Sequence, residues 1–112
     1  MPAALNNFRT TLADITTTTS DVYTPPLGYS TVVLLAQVSN TGNDTIQITA
    51  DVRRSGVSTS LINEASIPTN DAISLLTGRL ILQYGDTLQL SSSDDTSAQL
   101  VLSYLETLIT GS

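Results

Sequence analysis

Thr45-Ile46-Gln47-Ile48-Thr49-Ala50-Asp51-Val52-Arg53 is the stretch on which the fold turns. Ile46, Ile48, Ala50 and Val52 occupy one parity, and Thr45, Gln47, Thr49, Asp51 and Arg53 the other. Strict period two puts every apolar side chain on one side of a pleated strand and every polar one on the other. The stretch therefore predicts a strand with one face on a core. Just before it, Val32-Val33-Leu34-Leu35-Ala36 is apolar at both parities, which predicts a central strand or one covered by a partner. Asn40-Thr41-Gly42-Asn43-Asp44 between the two reads as a hairpin loop, with Gly and Asn supplying the backbone freedom.

The same grammar continues toward the C-terminus. Thr59, Leu61, Asn63, Ala65 and Ile67 alternate with Ser60, Ile62, Glu64 and Ser66 in a weaker strand ending at Pro68. After a turn at Pro68-Thr69-Asn70-Asp71 comes a short apolar run, Ala72 to Leu76, and then Leu80 and Leu82 point inward. Tyr84-Gly85-Asp86 turns the chain into a segment led by Leu88 and Leu90. The polar loop Ser92 to Thr96 opens the last strand, where Ala98, Leu100, Leu102 and Tyr104 share a face. A helical window over Leu100 to Ile109 competes there, but the regular alternation favours a strand. Closely spaced strands and turns of this kind predict an all-β antiparallel β-sandwich, jelly-roll or immunoglobulin-like.

The N-terminal segment differs. Thr16-Thr17-Thr18-Thr19-Ser20 separates it from the body, yet Phe8, Leu12 and Ile15 are apolar residues that a solvated tail has no use for. Residues 1–21 are accordingly predicted to be an extended arm that packs on something, and residues 22–112 to be the sandwich domain. The candidate subunit-interface residues are Phe8, Arg9, Leu12 and Ile15 on the arm, with Tyr23 and Tyr104 on the body.

Composition narrows the chemistry. The 112 residues include no Cys, His, Trp or Lys, and the only cations are Arg9, Arg53, Arg54 and Arg79. Cys or His metal sites, Ser-His-Asp and Cys-His catalysis and Schiff-base or P-loop lysines are thereby excluded. Thirty-two Ser and Thr hydroxyls lack a His or Lys to activate them, and no G-x-S-x-G elbow is present. A net charge of −6 repels phosphate backbones, so no nucleic-acid partner is expected. The longest apolar run, Val32 to Ala36, is too short to span a bilayer, and Met1 to Arg9 carries no signal-peptide pattern. Asp94 and Asp95 read as solvated acids of a polar hairpin loop, with calcium at Asp94, Asp95 or Asp44 the rival reading but no EF-hand spacing to support it. Asn43-Asp44-Thr45 matches a glycosylation sequon and reads as a loop tip. Arg53-Arg54 reads as a strand end paired with a neighbouring acid, with an anion or partner contact as the rival. No cofactor is expected, and no enzyme.

Val22-Tyr23-Thr24-Pro25-Pro26-Leu27-Gly28-Tyr29-Ser30-Thr31-Val32-Val33 resembles the opening of small β-sandwich virion structural proteins of tailed bacteriophages. Asn40-Thr41-Gly42, Ile67-Pro68, Leu82-Gln83-Tyr84-Gly85-Asp86-Thr87-Leu88 and Ser103-Tyr104-Leu105-Glu106 continue the likeness. The resemblance implies a non-enzymatic virion component, a capsid decoration or cement protein or a neck, tail or baseplate part. It implies homo-oligomers, a trimer foremost, and partners among the major capsid protein and other virion proteins. A host-surface glycan-binding module using Tyr23, Tyr29 and Tyr84 is the alternative from another class.

Overall fold

In a computed structural model, which describes residues 6–108, the alternation of Thr45–Arg53 is realised in one of nine strands. These are β1 (Asn6–Ile15), β2 (Ser20–Tyr23), β3 (Tyr29–Asn40), β4 (Ile46–Arg54), β5 (Val57–Ile67), β6 (Ala72–Ser74), β7 (Leu80–Leu82), β8 (Asp86–Ser92) and β9 (Ala98–Leu108). One sheet runs β1-β9-β3-β6, with β7 beside β3 on the same edge; the other runs β2-β8-β4-β5. All pairings are antiparallel. The chain crosses between sheets after β1, β2, β3, β5, β7 and β8. It stays within a sheet only at the β4–β5 hairpin and the β6–β7 break. This is the double-sheet jelly roll, which decides between the two sandwich types that the sequence leaves open.

The core lies where the alternation predicts. Ile46, Ile48 and Ala50 of β4, Leu88 and Leu90 of β8, and Ala98, Leu100, Leu102 and Tyr104 of β9 all face inward and are buried. Val33, Ala36 and Val38 of β3 and Leu82 of β7 join β9 in the first sheet's half of the core, and Ile67 of β5 joins the second sheet's half. The window over Leu100 to Ile109 is strand through Leu108; Ile109 lies outside the described residues.

Three expectations are corrected. Residues 40–44 do not form a hairpin, because β3 and β4 belong to different sheets. The buried Asn40 carboxamide shapes an arch: Nδ2 donates to the carbonyls of Asp44 (2.7 Å) and Ile67 (2.9 Å), and Oδ1 accepts from the Gly42 N–H. Gly42 is required there, since a Cβ would collide with Ser97. The Ser92–Thr96 loop likewise crosses between sheets. In β5 the single alternation is interrupted by register shifts on either side of Ala50↔Ile62, with Glu64 at φ 52°. The bulges turn Ile62 toward the core beside Leu61, although its parity matches the polar face.

The segment expected as an arm contributes a strand to this chain's own first sheet. β1 pairs with β9 in unbroken register from Asn6↔Thr107 to Ile15↔Ala98, and Ile15 is fully buried. Residues 1–5 and 109–112 lie outside the described residues.

Two polar clusters pin the strands, one within the second sheet and one between the two sheets. Arg54 grips buried Asp86 through both carboxylate oxygens, Nε to Oδ1 at 2.5 Å and Nη2 to Oδ2 at 2.7 Å. The Gln83 N–H adds a third bond. The guanidinium foremost, and then that N–H, hold the Asp86 carboxyl below its ordinary value against the opposing effect of burial. The second cluster centres on Glu106, which is buried on β9. Its Oε1 accepts from Arg9 Nε at 2.8 Å, and its Oε2 accepts from the Tyr23 hydroxyl at 2.6 Å. Because that proton is committed to Glu106, the Thr31 hydroxyl donates to Tyr23 Oη at 2.7 Å. Burial, and next the bond to Glu106, push the Tyr23 phenol well above its ordinary value.

Opposite pH limits follow. A depressed Asp86 stabilises the fold fully above its unfolded value of 3.8, and this is lost as pH falls through the lower folded value. Urea midpoints measured against pH should therefore drop below about pH 4. Asp86→Asn should flatten that drop while lowering stability at neutral pH. A raised Tyr23 contributes fully below its unfolded value of 10.0, and the contribution is lost as pH rises beyond it. Tyr23→Phe should remove this alkaline loss. At the β4–β5 hairpin, Ser55 (φ 53°) and Gly56 (φ 80°) both lie in the left-handed region, as a type I′ turn demands. Asn tolerates that conformation better than Ser, so Ser55→Asn should raise stability by about 0.5 kcal/mol in denaturant titration.

Candidate assembly face

The strands that build the core present their other parity to solvent, and the two sheets do so differently. On the second sheet the outward residues are Gln47, Thr49, Asp51 and Arg53 of β4 with Thr87, Gln89 and Ser91 of β8, a polar surface. On the first sheet large apolar side chains stand among them. Phe8 and Leu12 of β1 are 77% and 73% exposed, Ile81 of β7 is 62% exposed, and Leu34 and Leu35 of β3 are also exposed. The register shift between Val33 and Leu35 turns both leucines outward while Val33 and Ala36 stay buried.

These side chains line up across the strands. Phe8 lies opposite Leu105, Leu105 opposite Val32, and Val32 opposite Ile81, giving one apolar row across β1, β9, β3 and β7. A second pair, Leu12 opposite Val101, lies farther along the same face. Directly opposed residues have their Cβ atoms about 5 Å apart, so each row is a contiguous ridge. Between the rows stand uncharged hydroxyls, with Thr10 and Ser103 side chains 3.2 Å apart. Phe8, Leu34 and Ser103 border a shallow depression with Arg9, Thr10 and Tyr104. Asp14, at the end of β1, is the one charged residue of that strand on this face, and exposed apolar ridges of this kind are the usual mark of an interaction surface.

The structure divides the six sequence candidates. Phe8 and Leu12 stand on this face. Arg9 points the other way, toward Glu106, with its side chain 57% exposed. Ile15 is in the core, and Tyr23 and Tyr104 pack on each other with ring centroids 4.4 Å apart. The Tyr104 and Thr11 hydroxyls are 2.8 Å apart. Tyr23 is thus taken up internally, while Tyr84 is exposed in the loop after β7. Sequence reasoning passed over Ile81, Val101 and Leu105. The signal for them was an apolar residue at the second parity of a strand already assigned to the core.

Asp94 and Asp95 shape the loop before β9. Asp95 accepts from the N–H (2.9 Å) and hydroxyl (2.8 Å) of Thr17, and Asp94 from the Thr96 N–H (2.8 Å). These bonds, led in each case by the backbone N–H, hold both carboxyls below their ordinary value. No cluster of three or more Asp or Glu positioned for a metal occurs among the described residues. Arg54 is the strand-end cation paired with an acid. No helix among the described residues is long and apolar enough to cross a membrane.

No protein-family profile and no curated protein sequence matches the chain. Among solved structures it is similar to the subunit of Bacillus endospore appendages, described as disulfide-linked pili. The TM-score is 0.58 at 11% identity, over 94% of this chain and 88% of that one. It is also similar to a pentameric capsid protein isolated from metagenomic phage sequences, with a TM-score of 0.44 at 20% identity. That match spans 88% of this chain and 61% of the other. At such identities the first likeness is one of fold, and the second is too distant to carry an argument.

Proposed function

We propose that the chain is a non-enzymatic structural subunit of a phage virion, a capsid decoration or cement protein. It lays the outer face of its first sheet on a neighbouring virion protein, the major capsid protein foremost. The observation that carries this reading is the uncharged row Phe8–Leu105–Val32–Ile81 across the outer face of the first sheet. Two further points support it: the sequence motifs from Val22 to Glu106 that resemble phage virion sandwiches, and a fold shared with a subunit that assembles into pili. A decoration protein repeats one modest contact over many equivalent sites. A ridge of a few apolar side chains is therefore sufficient, because avidity across the lattice multiplies it. The same face would serve in a neck, tail or baseplate component, which differs in copy number.

Ile81→Asp places a carboxylate at the β7 end of the row, at an exposed position, so the isolated fold should change in stability by no more than about 0.5 kcal/mol. Its incorporation into purified particles should nevertheless collapse, whereas Gln89→Asp on the polar sheet should incorporate as the parent does. Equal incorporation of both variants would refute the reading. A particle copy number matching the low-order symmetry of a neck or tail, rather than the number of capsomers, would move the chain to that location.

A further inference from the structure

The jelly roll has four strand edges, and three of them are blunted. β2 has only four residues and a register irregularity. β5 carries two register shifts and Glu64 at positive φ. The opposite edge of the first sheet is split into β6 and β7, three residues each. Short strands, bulges and breaks are the usual guards against unwanted pairing. β1 has none of them. Its ten residues hold one uninterrupted register with β9, contain no Pro, and have no strand on their outer side among the described residues. Its one cation, Arg9, is turned inward and neutralised by Glu106.

We propose that β1 pairs with β1 of a second copy of this chain, antiparallel about a two-fold axis through Thr10, joining the first sheets of both copies into one. This rests on the reading of the chain as an assembling subunit and replaces the trimer implied by the resemblance with a two-fold pair. The register follows from the side chains. A two-fold axis perpendicular to the sheet keeps both cores on one side, so only residues of like facing are opposed. Centring on Arg9 sets two guanidiniums against each other. Centring on Thr11 places Phe8 opposite Asp14. Centring on Leu12 opposes Thr10 to Asp14 and leaves Phe8 beyond the end of the other strand. Centres nearer either end leave most of the strand unpaired.

Centring on Thr10 sets Phe8 of each copy opposite Leu12 of the other, which brings together the two large apolar side chains that β1 exposes. On the inner side Arg9 meets Thr11, and Asn7 meets Ala13, with no like charges opposed. Because Phe8 adjoins Leu105 and Leu12 adjoins Val101, the row beginning at Ile81 of one copy runs on through Leu12 and Val101 of the other. The pairing thus completes the backbone hydrogen bonding of β1 and the apolar row together.

The full chain in sedimentation velocity at micromolar concentration should run as a pair. Thr10→Lys sets two ammonium groups opposite each other on the solvent face and should raise the dissociation constant at least about tenfold, with an unchanged melting curve at dilutions where both proteins are monomeric. The natural sequence has no cysteine, so Thr10→Cys should cross-link two copies on mild oxidation. Asp14→Cys, opposite Asn6 in this register, should not. A monomeric parent, a trimer indifferent to Thr10→Lys, or equal cross-linking by both cysteine variants would overturn the proposal. Pairing is read on the isolated chain and particle incorporation on virions, so this inference and the proposed function fail separately.

Discussion

Strand β9 is the constraint on which the rest of the molecule depends. It lies between β1 and β3, in register with both, and its two parities answer to different demands. Leu100, Leu102 and Tyr104 supply the centre of the core, while Val101 and Leu105 join the outer rows. A slip of one residue would exchange these sets and expose the core side chains. Pairing on both sides makes such a slip prohibitive, so the apolar outer face is fixed by the same register that fixes the core.

Glu106 extends that constraint from packing to charge. A carboxylate buried at the end of β9 is tolerable only if its oxygens are satisfied, and the partners come from far away in sequence. Arg9 arrives on β1 and Tyr23 on β2, and no buried side-chain nitrogen or oxygen among the described residues is left without a partner. The same carboxylate therefore holds the N-terminal strand within the first sheet and ties β2 of the second sheet to it.

Much of the fold was legible where a strand has one wet face. β4 and β8 read correctly because Ile46, Ile48, Leu88 and Leu90 keep strict parity through regular pairing. β5 did not, because a bulge conceals itself: the sequence of Asn63-Glu64 is compatible with plain alternation, and only pairing with β4 shows the extra residue. Arch and hairpin loops share the same Gly, Asn and Asp chemistry, so the Asn40–Asp44 crossing was not distinguishable. What marks it as an arch is a bond from Asn40 to Ile67, 27 residues away. The Ser55-Gly56 hairpin was signalled by its dipeptide and passed unremarked. Phe8 and Leu12 stood out because nothing local required them. Ile81, Val101 and Leu105 were concealed by their core-facing neighbours.

The blunted edges of β2, β5 and β6–β7 have a consequence for topology of growth. A sandwich with two good edges has a valence of two and polymerises without limit by strand addition. With one sound edge the valence is one, and extension along the hydrogen-bonding direction terminates at the first partner. Any larger lattice must then grow perpendicular to the sheets, through side-chain contacts that are weaker, reversible and correctable. The broken strand at residues 72–82 is in this sense a chain terminator written into the backbone.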